Sequence, residues 1–211
     1  MAKGLGPLIC LEVSELDFTG AFAGPKDSGS TVDWKELKPR TPFGQLPLLE
    51  DGELMVAQTA AICQYIGRKS SSLGGSDHDF AMSNMLLAET EDIYSATSKL
   101  CPTVFVTLDD PKKQGLEGYK RWEDEEVPAH LDRLEQLLKE NDTLGFTESG
   151  KTVGELYLFA MLHQLVLVLP KVLDARNHLK AFYEATFARP AVKKVLDGES
   201  AFAMKQYFVA P

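Results

Sequence analysis

The 211-residue sequence has few cysteines, few cations and no long apolar run, and each shortage removes a class of function. Its three cysteines, Cys10, Cys63 and Cys101, are odd in number and far apart, and no CxxC, Cys/His cluster or HExxH occurs. Neither a disulfide framework nor a metal site is supported. Lys and Arg total 22 against 31 Asp and Glu, a formal net charge of -9. Nucleic acid and anionic membrane surfaces want clustered cations, so both are set aside as partners, whereas a small anionic ligand needs only a local positive charge. The longest apolar stretch, residues 156–169, contains His163 and Gln164 and is shorter than the ~20 residues of a membrane span. No charged-then-apolar signal pattern opens the chain. A reduced, cytoplasmic, soluble protein is expected.

What the sequence does contain is concentrated in residues 41–69, TPFGQLPLLEDGELMVAQTAAICQYIGRK. Gln45-Leu46-Pro47-Leu48-Leu49 reads as a short strand whose proline places it at an edge or bend. An X-Pro bond is also where a cis peptide is tolerated. Asp51-Gly52 predicts a type I′ hairpin turn, and Leu54-Met55-Val56 the returning strand. A helix then begins at Gln58-Thr59, with Cys63 among its buried positions. A helix start holds a carboxylate well, Gln58 and Thr59 add an amide and a hydroxyl, and the Leu46 main chain is available to an extended peptide. The pattern describes a site for a small, extended, anionic peptide. Thr59 as a plain N-cap and Gln45 as a turn residue are the structural alternatives.

The run FGQLPLLEDGELMVAQTAAICQYI resembles the glutathione-binding half of the cytosolic glutathione S-transferases, and similarity to their sigma, mu and pi branch reaches the C-terminus. The resemblance implies an α/β thioredoxin-like N-terminal domain, here residues 1–70, and an all-α C-terminal domain, residues 76–211. It implies reduced glutathione as co-substrate, no metal, an apolar electrophile as second substrate, and a homodimer. Gln45, Leu46 and Pro47 would pair with the cysteine main chain of glutathione across a cis-proline. Gln58 and Thr59 would hold the γ-glutamyl carboxylate, and Trp34 and Lys38 the glycine carboxylate. Asp92 would reach the γ-glutamyl amine across a two-fold axis. Thr59 stands where the family usually has Ser and keeps the hydroxyl.

The beginning of the chain fits the family least. Ile9, Val13 and Leu16 repeat at helical spacing and Pro7 suits a first helical turn, yet Leu8-Ile9-Cys10-Leu11 equally suits a buried strand. The resemblance assigns it to the family's first helix, with Asp17-Phe18 opening the second strand. On that alignment the family's first strand and its catalytic Tyr have no counterpart. Residues 1–13 hold no Tyr or Ser, Cys10 and Ser14 fall inside the helix, and Leu5 stands near the family's usual basic residue. No catalytic residue is assigned. Two functions follow: a glutathione transferase, or a transferase-like structural or binding subunit of a larger assembly that keeps the site without turnover.

Elsewhere the reading is of scaffold. Residues 19–32 are a Gly/Ser-rich loop and 70–77 a flexible domain boundary. Asp77 caps a helix running to about Leu100, on which Glu89, Glu91 and Asp92 are by themselves a solvated face. Cys101, Pro102, Thr103 and Phe105 stand where the family often has a second Tyr. Residues 116–141 form a helix bent near Pro128, with Leu131, Leu134 and Leu138 on one face. Thr152 and Glu155 match a capping box before an apolar helix. His163 within it reads as a hydrogen-bonded core residue, Pro190 starts the last helix, and residues 204–208 form a tail.

Overall fold

A computed structural model describes residues 2–24, 30–102, 104, 118–141 and 144–200. The first described element is helix α1 (Ala2–Ser14), which resolves the helix-or-strand ambiguity in favour of helix. Pro7 lies inside α1 rather than in its first turn. The helix begins a turn earlier than Pro7 suggests because Leu5, Leu8 and Ile9 are buried at 0–3% exposure, so packing overrides two glycines and a proline.

The expected strand at Asp17-Phe18 does not form, and residues 16–21 carry no regular secondary structure. A strand exists only through its neighbour, and among the described residues none runs beside this segment. The first strand is β1 (Ala23–Gly24), paired in parallel with β2 (Val32–Asp33). Helix α2 (Trp34–Leu37) follows, capped by Asp33 through Lys35 N, and a 3₁₀ turn (Lys38–Arg40) leads to the glutamine–proline segment.

The hairpin is β3 (Leu48–Asp51) against β4 (Leu54–Ala57), antiparallel, in register Leu48↔Ala57 through Asp51↔Leu54. β3 starts only after Pro47, since proline offers the ladder no donor. The central turn residues are Gly52-Glu53, and of these only Gly52 has a positive φ, +60°. That is the type II′ pattern with glycine first, not the expected I′ turn centred on Asp51-Gly52. Helix α3 (Thr59–Lys69) completes the α/β part.

Residues 70–77, expected to be a flexible boundary, are tied down. Ser70 and Ser72 hydroxyls donate to the carbonyls of Ser14 and Val13 at 3.2 Å each, fastening the segment to the end of α1. Helices α4 (Asp77–Leu100), α5 (Tyr119–Arg121), α6 (Val127–Lys139), α7 (Val153–Val168), α8 (Asn177–Phe187) and α9 (Pro190–Leu196) form the rest. Ser76, not Asp77, caps α4 by accepting from Asp79 N at 3.2 Å. A π-helical turn at Trp122–Glu126 joins α5 to α6 directly before Pro128, where the bend was expected.

Helix α7 is the hub, and it is apolar all round because it is surrounded. Its residues from Val153 to Leu165 are all buried. The capping box is present, and the second oxygen of Glu155 also gathers Phe146 N and Thr147 N at 2.8 and 3.2 Å. No helix among the described residues is long and apolar enough to cross a membrane.

Candidate functional site

The first turn of α1, the segment before β3 and the start of α3 line a cavity of about 320 Å³, through Lys3, Gln45, Leu46, Pro47, Gln58 and Thr59. Leu46–Pro47 is the cis peptide bond of the described chain. It precedes β3, and Leu46 is left 44% exposed at the rim. β4 delivers the chain to Gln58, whose φ of +71° marks an abrupt change from strand to helix. A non-glycine residue in that region is uncommon and costs of order 1–3 kcal/mol, a kind of strain that clusters at ligand sites. Gln58 Nε2 donates to Gln45 Oε1 at 3.2 Å, linking the two sides of the site.

Thr59 is the first residue of α3 rather than its N-cap, and Gln58 caps without a side-chain bond. The Thr59 hydroxyl is buried and makes no hydrogen bond to any described group. An unsatisfied buried hydroxyl costs roughly 1–3 kcal/mol, so its presence on a residue that lines the cavity asks for a partner. The free N–H groups at the start of α3 add partial positive charge in the same place.

Of the residues expected at the site, Gln45, Leu46, Pro47, Gln58 and Thr59 thus come together. Lys38 is exposed and lies beside the rim: a β-carbon on Gly44, itself at φ +62°, would stand 3.4 Å from Lys38 Cε. Trp34, half-buried in α2, does not line the cavity. Asp92 also lies outside it, exposed on α4. Cys10 is fully buried with its thiol toward Val153 O at 3.9 Å, and the Ser14 hydroxyl donates to Leu11 O at 2.7 Å, so neither faces the cavity. Burial pushes the Cys63 thiol well above its ordinary pKa, with Cys10 and Glu91 adding to the rise, which makes it inert. Thr103, Phe105 and residues 204–208 lie outside the described residues.

Sequence reasoning missed Lys3. The only charged side chain among the described residues lining the cavity, it sits in the first turn of α1 and bonds through Nζ to Glu91 Oε2 on α4. Its Nζ also lies 5.1 Å from the Tyr94 ring centre. Glu91 Oε1 accepts from Tyr157 Oη at 2.7 Å, and Tyr94 Oη accepts from Gln164 Nε2 at 2.9 Å. One signal pointed to Lys3: a cation in the first turn of a helix runs against the macrodipole and calls for a reason.

Two family models match the chain, the glutathione S-transferase N-terminal domain over residues 3–68 and the C-terminal domain over 97–199. Glutathione S-transferase 1 of Ascaris suum is 32% identical over 77% of each chain. The chain belongs to the glutathione S-transferase family. Glutathione S-transferase 1 of Zea mays is 30% identical over 74% of each chain. The solved glutathione S-transferase from Ascaris lumbricoides superposes with a TM-score of 0.77 at 26% identity, covering 94% of this chain and 92% of that one. Prostaglandin synthase D of Nilaparvata lugens shares the fold, at a TM-score of 0.71 and 20% identity over 92% of each chain. The architecture is accordingly the transferase one, a thioredoxin-like α/β domain followed by an all-helical domain. Membership supports the enzyme over the non-catalytic subunit that the sequence left open.

Proposed function

We propose that this glutathione S-transferase binds reduced glutathione in the cavity between the Gln45–Pro47 segment and the start of α3, and conjugates it to an apolar electrophile. The observation that carries the reading is the Thr59 hydroxyl, buried and without a partner among the described residues, on a residue that lines the cavity at a helix N-terminus. With Gln58 beside it, Thr59 takes the γ-glutamyl carboxylate. Leu46 meets the cysteine main chain, and Lys38 and Trp34 reach past the rim toward the glycine end. The protein works in the cytoplasm as a homodimer, with domains at residues 1–70 and 76–211, and Asp92 meets the γ-glutamyl amine of the partner's ligand.

The exposed face of α4 supports the dimer. Phe80 is 68% and Met85 57% exposed on the helix that carries Asp92, and Phe43 near the cavity is 64% exposed. Large apolar side chains left in water on one helix mark an interaction site. Calorimetric titration with reduced glutathione tests the reading: a saturating isotherm is expected, weakened about tenfold or more in Gln58→Ala. A flat trace from folded protein at millimolar glutathione would overturn it.

A further inference from the structure

We infer that Lys3 faces the sulfur of the bound peptide thiol and favours its thiolate form. The inference rests on the glutathione reading above and supplies the group that reading leaves unassigned. With a carboxylate at Gln58-Thr59 and the cysteine main chain at Leu46, the wall left for the cysteine side chain is the one Lys3 provides.

The ammonium is positioned rather than free. Glu91 on α4 binds Nζ, the Tyr94 ring lies beneath it, and Tyr157 Oη locks Glu91 from the other side. Glu91 does not cancel the local field. The cavity lies between the N-terminal ends of α1 and α3, each worth about half a positive charge, and Lys3 adds a whole one. One carboxylate against that sum leaves the cavity positive although the chain as a whole is acidic. A cation within ~4–6 Å of an acid favours its charged form by 1–3 pH units, and the thiolate is the nucleophile. The thiol proton leaves to solvent and Lys3 keeps its own. The sulfur lone pair then forms the S–C bond, and the leaving group departs with its bonding pair.

The test follows the ultraviolet absorbance of the bound thiolate of reduced glutathione against pH in the wild type, Lys3→Met and Lys3→Arg. Calorimetry with S-methylglutathione runs beside it, and circular dichroism verifies folding. In the wild type the bound thiol should ionise at least one pH unit below the free peptide. Lys3→Met should lower the thiolate fraction at pH 7 about tenfold, Lys3→Arg should retain most of it, and S-methylglutathione affinity should change less than about twofold. An unchanged thiol titration in folded Lys3→Met would overturn the inference alone, leaving glutathione binding intact. An equal loss of affinity for S-methylglutathione would place Lys3 on a carboxylate and overturn it too. A wild type that binds no glutathione sinks the parent reading and takes this inference with it.

Discussion

Thr59 concentrates the logic of the site in one atom. The residue is 3% exposed and its hydroxyl has no hydrogen-bond partner among the described residues, so it opposes folding and favours a ligand. Thr59→Val keeps the shape and removes the oxygen. Stability should rise by up to about 1 kcal/mol in urea unfolding, while glutathione affinity falls about tenfold or more, since a bond to a charged group is worth ~1.5–3 kcal/mol. Loss of stability together with unchanged affinity would show that the oxygen faces the protein interior instead. His163 tests a different residue-level balance. Its Nδ1 lies 3.0 Å from Tyr183 Oη among stacked aromatic rings, and burial lowers its pKa to about 4. The unfolded imidazole titrates near 6.5, so between those values the unfolded state holds the extra proton. His163 therefore contributes fully above pH 6.5 and loses that contribution as pH falls toward 4, by at most about 3 kcal/mol. His163→Leu should flatten the stability difference between pH 7 and pH 4.5; an equally steep fall in the variant would assign the loss to other groups. The sequence made Gln45, Leu46, Pro47, Gln58 and Thr59 readable together because short-range turn and helix-start chemistry fixes their neighbourhood. Lys3 was legible only as a cation misplaced in a first helical turn, because its partner Glu91 lies 88 residues away and only tertiary packing joins them.

Among the elements, α7 shows why the fold is held from the middle. A β-carbon on Gly6 of α1 would strike the Tyr157 ring, and one on Gly154 would strike the Ser83 carbonyl of α4, so both neighbours pack at backbone distance. Glu155 anchors the same helix start to the preceding loop. It is 1% exposed and accepts from Phe146 N, Thr147 N, Thr147 Oγ1 and Thr152 N. Glu155→Ala should cost more than about 3 kcal/mol because several buried donors lose their acceptor, against about 1 kcal/mol for Thr152→Ala, which removes the cap bond and one donor to Glu155. Denaturant midpoints at equal slope decide it, and an equal cost for the two would reduce Glu155 to an ordinary capping residue. The capping box, the apolar run and Pro190 at the last helix start were legible because local chemistry alone specifies them. The strand expected at Asp17-Phe18 was not, since a strand is defined by a partner remote in sequence. The hairpin turn was misplaced by one residue for a related reason: an Asp-Gly pair fixes where glycine sits, while cross-strand pairing of Asp51 with Leu54 fixes which residues are central.

For the whole molecule, the question is whether one chain makes a complete site. Residues four apart on a helix share a face, so Phe80, Asn84, Ala88 and Asp92 form one line along α4, and Met85 borders it. Gln64 Nε2 donates to Asn84 Oδ1 at 2.5 Å, tying that line to α3, the helix whose start carries Thr59. A second copy covering the face would bury Phe80 and Met85 and bring Asp92 to the neighbouring cavity, which accounts for an exposed carboxylate lying outside the cavity of its own chain. Sedimentation should then report twice the 23.3 kDa chain mass. Phe80→Glu leaves a side chain that is already 68% exposed free to face water, so the chain folds, but a like charge buried against its symmetry mate should return the monomer mass. Glutathione affinity of that monomer should fall about as far as in dimeric Asp92→Asn, because both lose the same carboxylate from the site. A Phe80→Glu monomer that binds glutathione like the wild type would make each site self-sufficient, and Asp92 would then serve only the solvated face of α4.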